Sequence, residues 1–123
     1  MPSKKILLVE DDNFLNQLYF DLLKSEGYDV VSSTEGNDAL TKCKKKGWDL
    51  ILLDVMLPGK DGFEILDEVS KIDKNIGKKI IFLTNMEKDG MKNPEYLNKA
   101  KGCWVKSNMS PPEFIEKVKN VLK

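Results

Sequence analysis

Four short apolar runs in this chain each end on a residue able to do ionic or proton chemistry. Ile6–Val9 is followed by Glu10, Asp11 and Asp12, Leu50–Leu53 by Asp54, Ile80–Leu83 by Thr84, and Cys103–Val105 by Lys106. Brought to one place, these residues make a cluster of carboxylates with one hydroxyl and one ammonium. Carboxylates about 4 Å apart repel by roughly 1–4 kcal/mol per pair, depending on the effective dielectric. Such a cluster therefore needs a cation or a shared proton. A ligand set made only of oxygen suits a hard ion. Mg2+ is the first choice, held by one to three carboxylates with water or substrate oxygen completing the shell. A divalent ion beside a carboxylate, a hydroxyl and a lysine is the equipment of phosphoryl transfer. A carboxylate can itself be the nucleophile there, giving an aspartyl-phosphate.

Composition removes several competing chemistries. The 123 residues include 20 lysines balanced by 20 carboxylates, with no histidine and no arginine. Without histidine there is no Ser/His or Cys/His pair and no histidine metal ligand. Without arginine there is no bidentate fork for guanine edges or phosphates. Zero net charge gives no bulk attraction to nucleic acid or anionic lipid. We expect neither direct nucleic-acid binding nor membrane insertion, and a monomer or weak dimer. Cys43 and Cys103 have no CxxC or zinc spacing, and read as reduced core thiols. Reduced cysteines, with no signal peptide or membrane span visible, predict a cytoplasmic location.

The elements that must position these groups follow from periodicity. Runs as short and continuous as Ile6–Val9, Leu50–Leu53 and Ile80–Leu83 read as strands covered on both faces, hence a parallel sheet. Tyr28–Val31 and Cys103–Val105 are weaker and suit its edges. Between them lie helical patterns. Asp11 or Asp12 can cap a first helix with Phe14, Leu15, Leu18 and Leu22 on one face and Tyr19 and Leu23 beside it. Thr34 is expected to cap a second, which carries Ala39, Leu40 and Cys43 inward. Asp61 with Glu64, and Ser110 with Pro111 and Glu113, stand at capping-box spacing. The former precedes a stripe of Phe63, Leu66 and Val69. A short helix is expected from Pro94 to about Lys99, capped by Asn93. Alternation of five βα units predicts an α/β, doubly wound (βα)5 sandwich of flavodoxin-like type, with parallel strands in order 2-1-3-4-5. We expect residues 1–123 to form this single domain, with no output domain. Ligands in such folds bind at the carboxyl ends of the strands, beside the switch point between strands one and three. All four run-ending groups fall on that rim.

Over its whole length the chain resembles bacterial response-regulator receiver domains. The resemblance is carried by Val9-Glu10-Asp11-Asp12, by Leu52-Leu53-Asp54-Val55-Met56-Leu57-Pro58-Gly59-Lys60-Asp61-Gly62, by Leu83-Thr84 and by Val105-Lys106. It implies a phosphoryl-accepting switch of a two-component system rather than an enzyme. Asp54 would be the phosphate acceptor. Asp11 and Asp12 would be the acidic pair for Mg2+, with Asp12 the direct ligand and the Met56 backbone carbonyl completing the metal shell. Thr84 and Lys106 would contact phosphoryl oxygens. The donor would be a sensor histidine kinase or a histidine phosphotransfer protein, which fits a chain lacking histidine. The downstream protein target is not specified by the sequence.

Departures from the family pattern carry further expectations. Cys103 stands where a Tyr or Phe usually turns inward on phosphorylation. Trp104 points to the opposite face and cannot replace that ring. Lys106-Ser107 replaces the frequent Lys-Pro, so either a trans bond with a shifted loop or a strained cis bond is expected, the latter costing about 2.5–4 kcal/mol. Met56 and Met86 flank the path of an attacking water, which predicts slow self-hydrolysis. A dehalogenase-type phosphatase would need an Asp where Met56 stands. A flavin or nucleotide carrier would need phosphate-cradling residues where Glu10-Asp11-Asp12 stand. A receiver that binds partners without taking phosphate is the alternative on the same fold.

Overall fold

A computed structural model describes residues 3–85 and 94–123. Five parallel strands, β1 (Lys5–Val9), β2 (Asp29–Ser33), β3 (Leu50–Asp54), β4 (Ile80–Thr84) and β5 (Gly102–Val105), form one sheet in the order β2-β1-β3-β4-β5. Every residue of β3 and β4 is buried, as expected for strands covered on both faces. The two weaker runs take the edges, and β2 begins one residue later than its apolar run.

Alternate strand residues feed two cores. Leu7, Val9, Ile51, Leu53, Ile80 and Phe82 face α2 (Gly36–Cys43) and α3 (Gly62–Ile72). Ile6, Leu8, Leu50, Leu52, Ile81 and Leu83 face α1 (Asn13–Ser25) and α6 (Pro111–Val121). Full burial of each such side chain is worth about 1.5–3 kcal/mol before chain entropy is charged. A single turn, α4 (Lys74–Gly77), and the short α5 (Pro94–Lys99) complete the first layer. The α4 turn was not visible in the apolar pattern, because its cap, Asp73 accepting from the Asn75 amide, is a local polar device. The expected cap Asn93 lies outside the described residues.

Both capping boxes form, at Asp61/Glu64 and at Ser110/Glu113. Two helix readings need correction. Glu35, not Thr34, caps α2, its carboxylate accepting from the Asn37 and Asp38 amides. The buried face of α1 centres on Asn16, Tyr19 and Leu23, and Phe14 is 76% exposed. Asn16 occupies an inward position because its amide donates to the carbonyls of Glu10 (2.9 Å) and Ser33 (3.1 Å). That clasp ties α1 to the ends of β1 and β2. Cys43 is fully buried, whereas Cys103 is only half-buried, and both are free thiols. Among the described residues, no helix is long and apolar enough to cross a membrane.

Candidate functional site

Strand register brings the run-ending residues together. Val9 pairs with Leu53, Asp54 with Leu83, and Thr84 with Val105, so the strand ends form one rim. Glu10 extends β1 and its amide bonds the Ser33 carbonyl. Its carboxylate is fully buried, and Asp54 and Lys106 are nearly so. The Lys106 Nζ donates to Glu10 Oε1 at 2.6 Å and to Asp54 Oδ2 at 3.0 Å. The other Asp54 oxygen accepts from the Met56 amide at 3.1 Å. Asp54 is thus held between an ammonium and a backbone donor, at the end of a central strand. It opens onto a cleft of about 280 Å3 that Glu10, Asp11, Met56 and Asn85 also line.

The electrostatics follow from burial and pairing. Burial pushes the Glu10 carboxyl up, Lys106 pulls it down, and Asp54 raises it further, with a net upward result. For Lys106, burial disfavours the ammonium, but Glu10 and Asp54 outweigh it and hold the pKa above the usual lysine value. Tyr19 is likewise raised, first by burial. The lysine is therefore a fixed positive charge at neutral pH.

Glu10, Asp11 and Asp54 each offer a carboxylate oxygen, and these atoms all lie within 4.8 Å of one another. A donor set of hard oxygens at that spacing fits a small divalent ion such as Mg2+. Asp12 is not in this group. It lies on the rim of the cleft, and its Oδ1 accepts from the Leu15 amide at 3.0 Å as the N-cap of α1. Its own amide donates to Glu10 Oε2 at 3.0 Å. The carboxylates grouped at that spacing are thus Glu10 and Asp11 with Asp54, while the expected pair of Asp11 and Asp12 also lines the cleft. Three consecutive carboxylates hide this, but the residue just before the first helical position is the natural cap.

Thr84 is fully buried at the end of β4, and Asn85 beside it lines the cleft. Met56 is 68% exposed at the cleft edge, while Met86 lies outside the described residues. Lys106–Ser107 is trans and opens a 3-10 turn, Lys106–Asn108, closed by the Met109 amide on the Lys106 carbonyl. With no proline at 107, nothing offsets the cost of a cis bond. Cys103 packs with the α2/α3 layer, and Trp104 with the α1/α6 layer, edge-on to Phe114. The tryptophan therefore stands on the opposite face from the position it would have to replace.

Residues 6–119 match the family model of the response regulator receiver domain. The chain belongs to that family. It is 32% identical over 124 residues to a probable transcriptional regulator, ycf29, of Porphyra purpurea, covering 98% of this chain and 57% of that protein. It is 39% identical over 84 residues to the uncharacterized transcriptional regulatory protein YbdJ of Bacillus subtilis (strain 168), covering 68% of this chain and 36% of that one. This receiver thus spans only about a third to just over half of those relatives. Among solved structures it resembles the response regulator protein TrrA of Thermotoga maritima in complex with Mg(2+)-BeF. That match has a TM-score of 0.81 and 33% identity over 97% of this chain and 99% of that one.

Proposed function

We propose that this receiver is a phosphoryl-accepting switch, with Asp54 as the acceptor and a histidine kinase or histidine phosphotransfer protein as the donor. The observation that carries the reading is the Asp54 carboxylate, buried yet open to the cleft, bonded to Lys106 and flanked by Glu10 and Asp11. The Mg(2+)-BeF complex of the related TrrA supports the same chemistry.

In the transfer, one Asp54 oxygen forms a bond to phosphorus as the P–N bond to the donor imidazole breaks. The bonding pair returns to the imidazole nitrogen, which takes up a proton. In this reading Lys106 follows charge from the carboxylate to a phosphoryl oxygen, and Thr84 contacts another. Glu10, Asp11, Asp54 and the Met56 carbonyl are the groups assigned to Mg2+. When bound, the ion supplies charge neutralisation among the carboxylates and on the phosphoryl oxygens. Glu10 replaces Asp12 in this assignment because Asp12 is spent on the helix cap. Engagement of a downstream protein target completes the role.

Incubation with acetyl phosphate and Mg2+, followed by intact mass measurement, tests the proposal. A gain of one phosphoryl mass, abolished in Asp54→Asn, is expected. No gain would favour a receiver that binds its partners without taking phosphate.

A further inference from the structure

At the end of the sheet away from Asp54, a second cavity of about 540 Å3 opens between the last turns of α2 and α3. Its walls include Trp48 and Ile51, both buried, with Ile76 and the 60% exposed Ile72. Trp48 is a fixed wall, since its indole N–H donates to the Lys42 carbonyl at 2.8 Å and Lys5 covers its ring at 4.9 Å. Around this apolar lining stand Lys44, Lys45, Lys46 and Lys79, against a single acid, Asp73, which is engaged as the cap of α4. Among the described residues none of these four lysines forms an ion pair.

A chain with zero net charge has thus placed four cations, with no ion pair of their own among the described residues, round one apolar recess. The dipole of α2 favours Lys44, its C-cap, but the effect falls off within a turn and does not account for all four. A recess of this size lies within the roughly 300–1,000 Å3 of small-molecule sites, which pair an apolar lining with a few orienting charges.

We propose that this recess binds a small amphiphilic anion: a flat apolar body of about two rings against Ile72, Ile76 and Trp48, bearing a carboxylate or sulfonate at the lysine rim. Three residues of strand separate Ile51 from Asp54, about 10 Å. The site is therefore separate from the acidic cleft and does not depend on phosphoryl transfer.

The probe is 8-anilinonaphthalene-1-sulfonate, titrated by fluorescence against the 123-residue chain, with two-dimensional NMR of the two tryptophan indole N–H groups. We expect saturable binding that shifts the Trp48 indole signal and leaves that of Trp104 in place. The double variant Lys45→Glu/Lys46→Glu alters exposed side chains only. It should keep the parent melting curve and bind the dye at least tenfold more weakly, whereas Asp54→Asn should bind it unchanged. Movement of the Trp104 signal alone, or binding by the double variant within twofold of the parent, overturns the proposal. So does displacement of the dye by an acidic, phenylalanine-containing peptide that binds more tightly, which would assign the recess to a protein partner.

Discussion

Lys106→Met tests how the acidic cleft is held together. In the parent, one ammonium bonds two buried carboxylates at 2.6 and 3.0 Å. Methionine keeps the stem and removes the charge, leaving Glu10 and Asp54 side by side without a cation. Removing one partner of a buried ion pair typically costs about 3–5 kcal/mol. A chain of 123 residues has an unfolding entropy near 260 cal/mol/K at about 2.1 per residue, so each kcal/mol is worth about 4 °C. The variant should therefore melt roughly 12–20 °C lower in a magnesium-free buffer at pH 8.

The same reasoning fixes the pH dependence. Lys106 is the larger of two influences that lower the Glu10 pKa, the Asp12 amide being the other, so its loss raises that pKa further above the unfolded value. A carboxyl whose folded pKa is raised binds its proton more tightly in the native state, so stability increases as pH falls through that pKa. The deficit of the variant should thus shrink between pH 8 and pH 6, and shrink also on adding Mg2+. In the parent, the raised Lys106 pKa acts in the same direction at higher pH, its stabilisation full below the unfolded lysine value and lost as pH rises through the folded one. Urea melts followed by circular dichroism measure both. A deficit below about 1 kcal/mol, the level of an exposed pair, or one equal at the two pH values, refutes the reasoning.

Other expectations follow from single sites. A Cβ at Gly36 would lie 1.9 Å from the Lys60 carbonyl oxygen, so Gly36→Ala should lower the unfolding free energy from urea titration by at least the roughly 1–3 kcal/mol of overpacking. Burial pushes the Cys43 thiol up to about 12. An aromatic disulfide reagent at pH 8 should therefore modify Cys43 only after unfolding, as peptide mapping would show. Ser110→Ala removes a cap bonded to the Glu113 amide and should cost about 1 kcal/mol by equilibrium unfolding. Met56, apolar and exposed at the cleft edge, offers an attacking water no hydrogen bond. In Met56→Asn, phosphate loss from the labelled protein should quicken about tenfold, a barrier change near 1.4 kcal/mol. An unchanged decay rate would remove Met56 from the account.

The sheet was readable in the sequence because its central strands are buried on both faces, which turns Leu50–Leu53 and Ile80–Leu83 into unbroken apolar runs. That burial, together with the rule placing ligands at strand ends, located Asp54, Thr84 and Lys106 on one rim. Assigning the acids was harder. Glu10, Asp11 and Asp12 look alike along the chain. Only the structure shows Glu10 turned into the core toward Lys106, and Asp12 spent on the Leu15 amide. The α1 face was misread for a related reason. Asn16 reads as a surface residue until its two carbonyl partners are seen, and they come from separate strands. Thr34 is by propensity the better cap, yet the chain uses Glu35, whose longer side chain reaches two amides. Of the basic recess only the run Lys44–Lys46 is visible in the sequence, since Lys79 and the apolar walls join it only when α2, α3 and the start of β4 are packed.

The most direct test of the acceptor assignment is to label the protein with acetyl phosphate, reduce the acyl phosphate with borohydride and sequence the peptides by tandem mass spectrometry. The account predicts homoserine at position 54, formed only when Mg2+ is present. Homoserine at position 11 or 12 instead, or a yield at position 54 that does not depend on Mg2+, would contradict it.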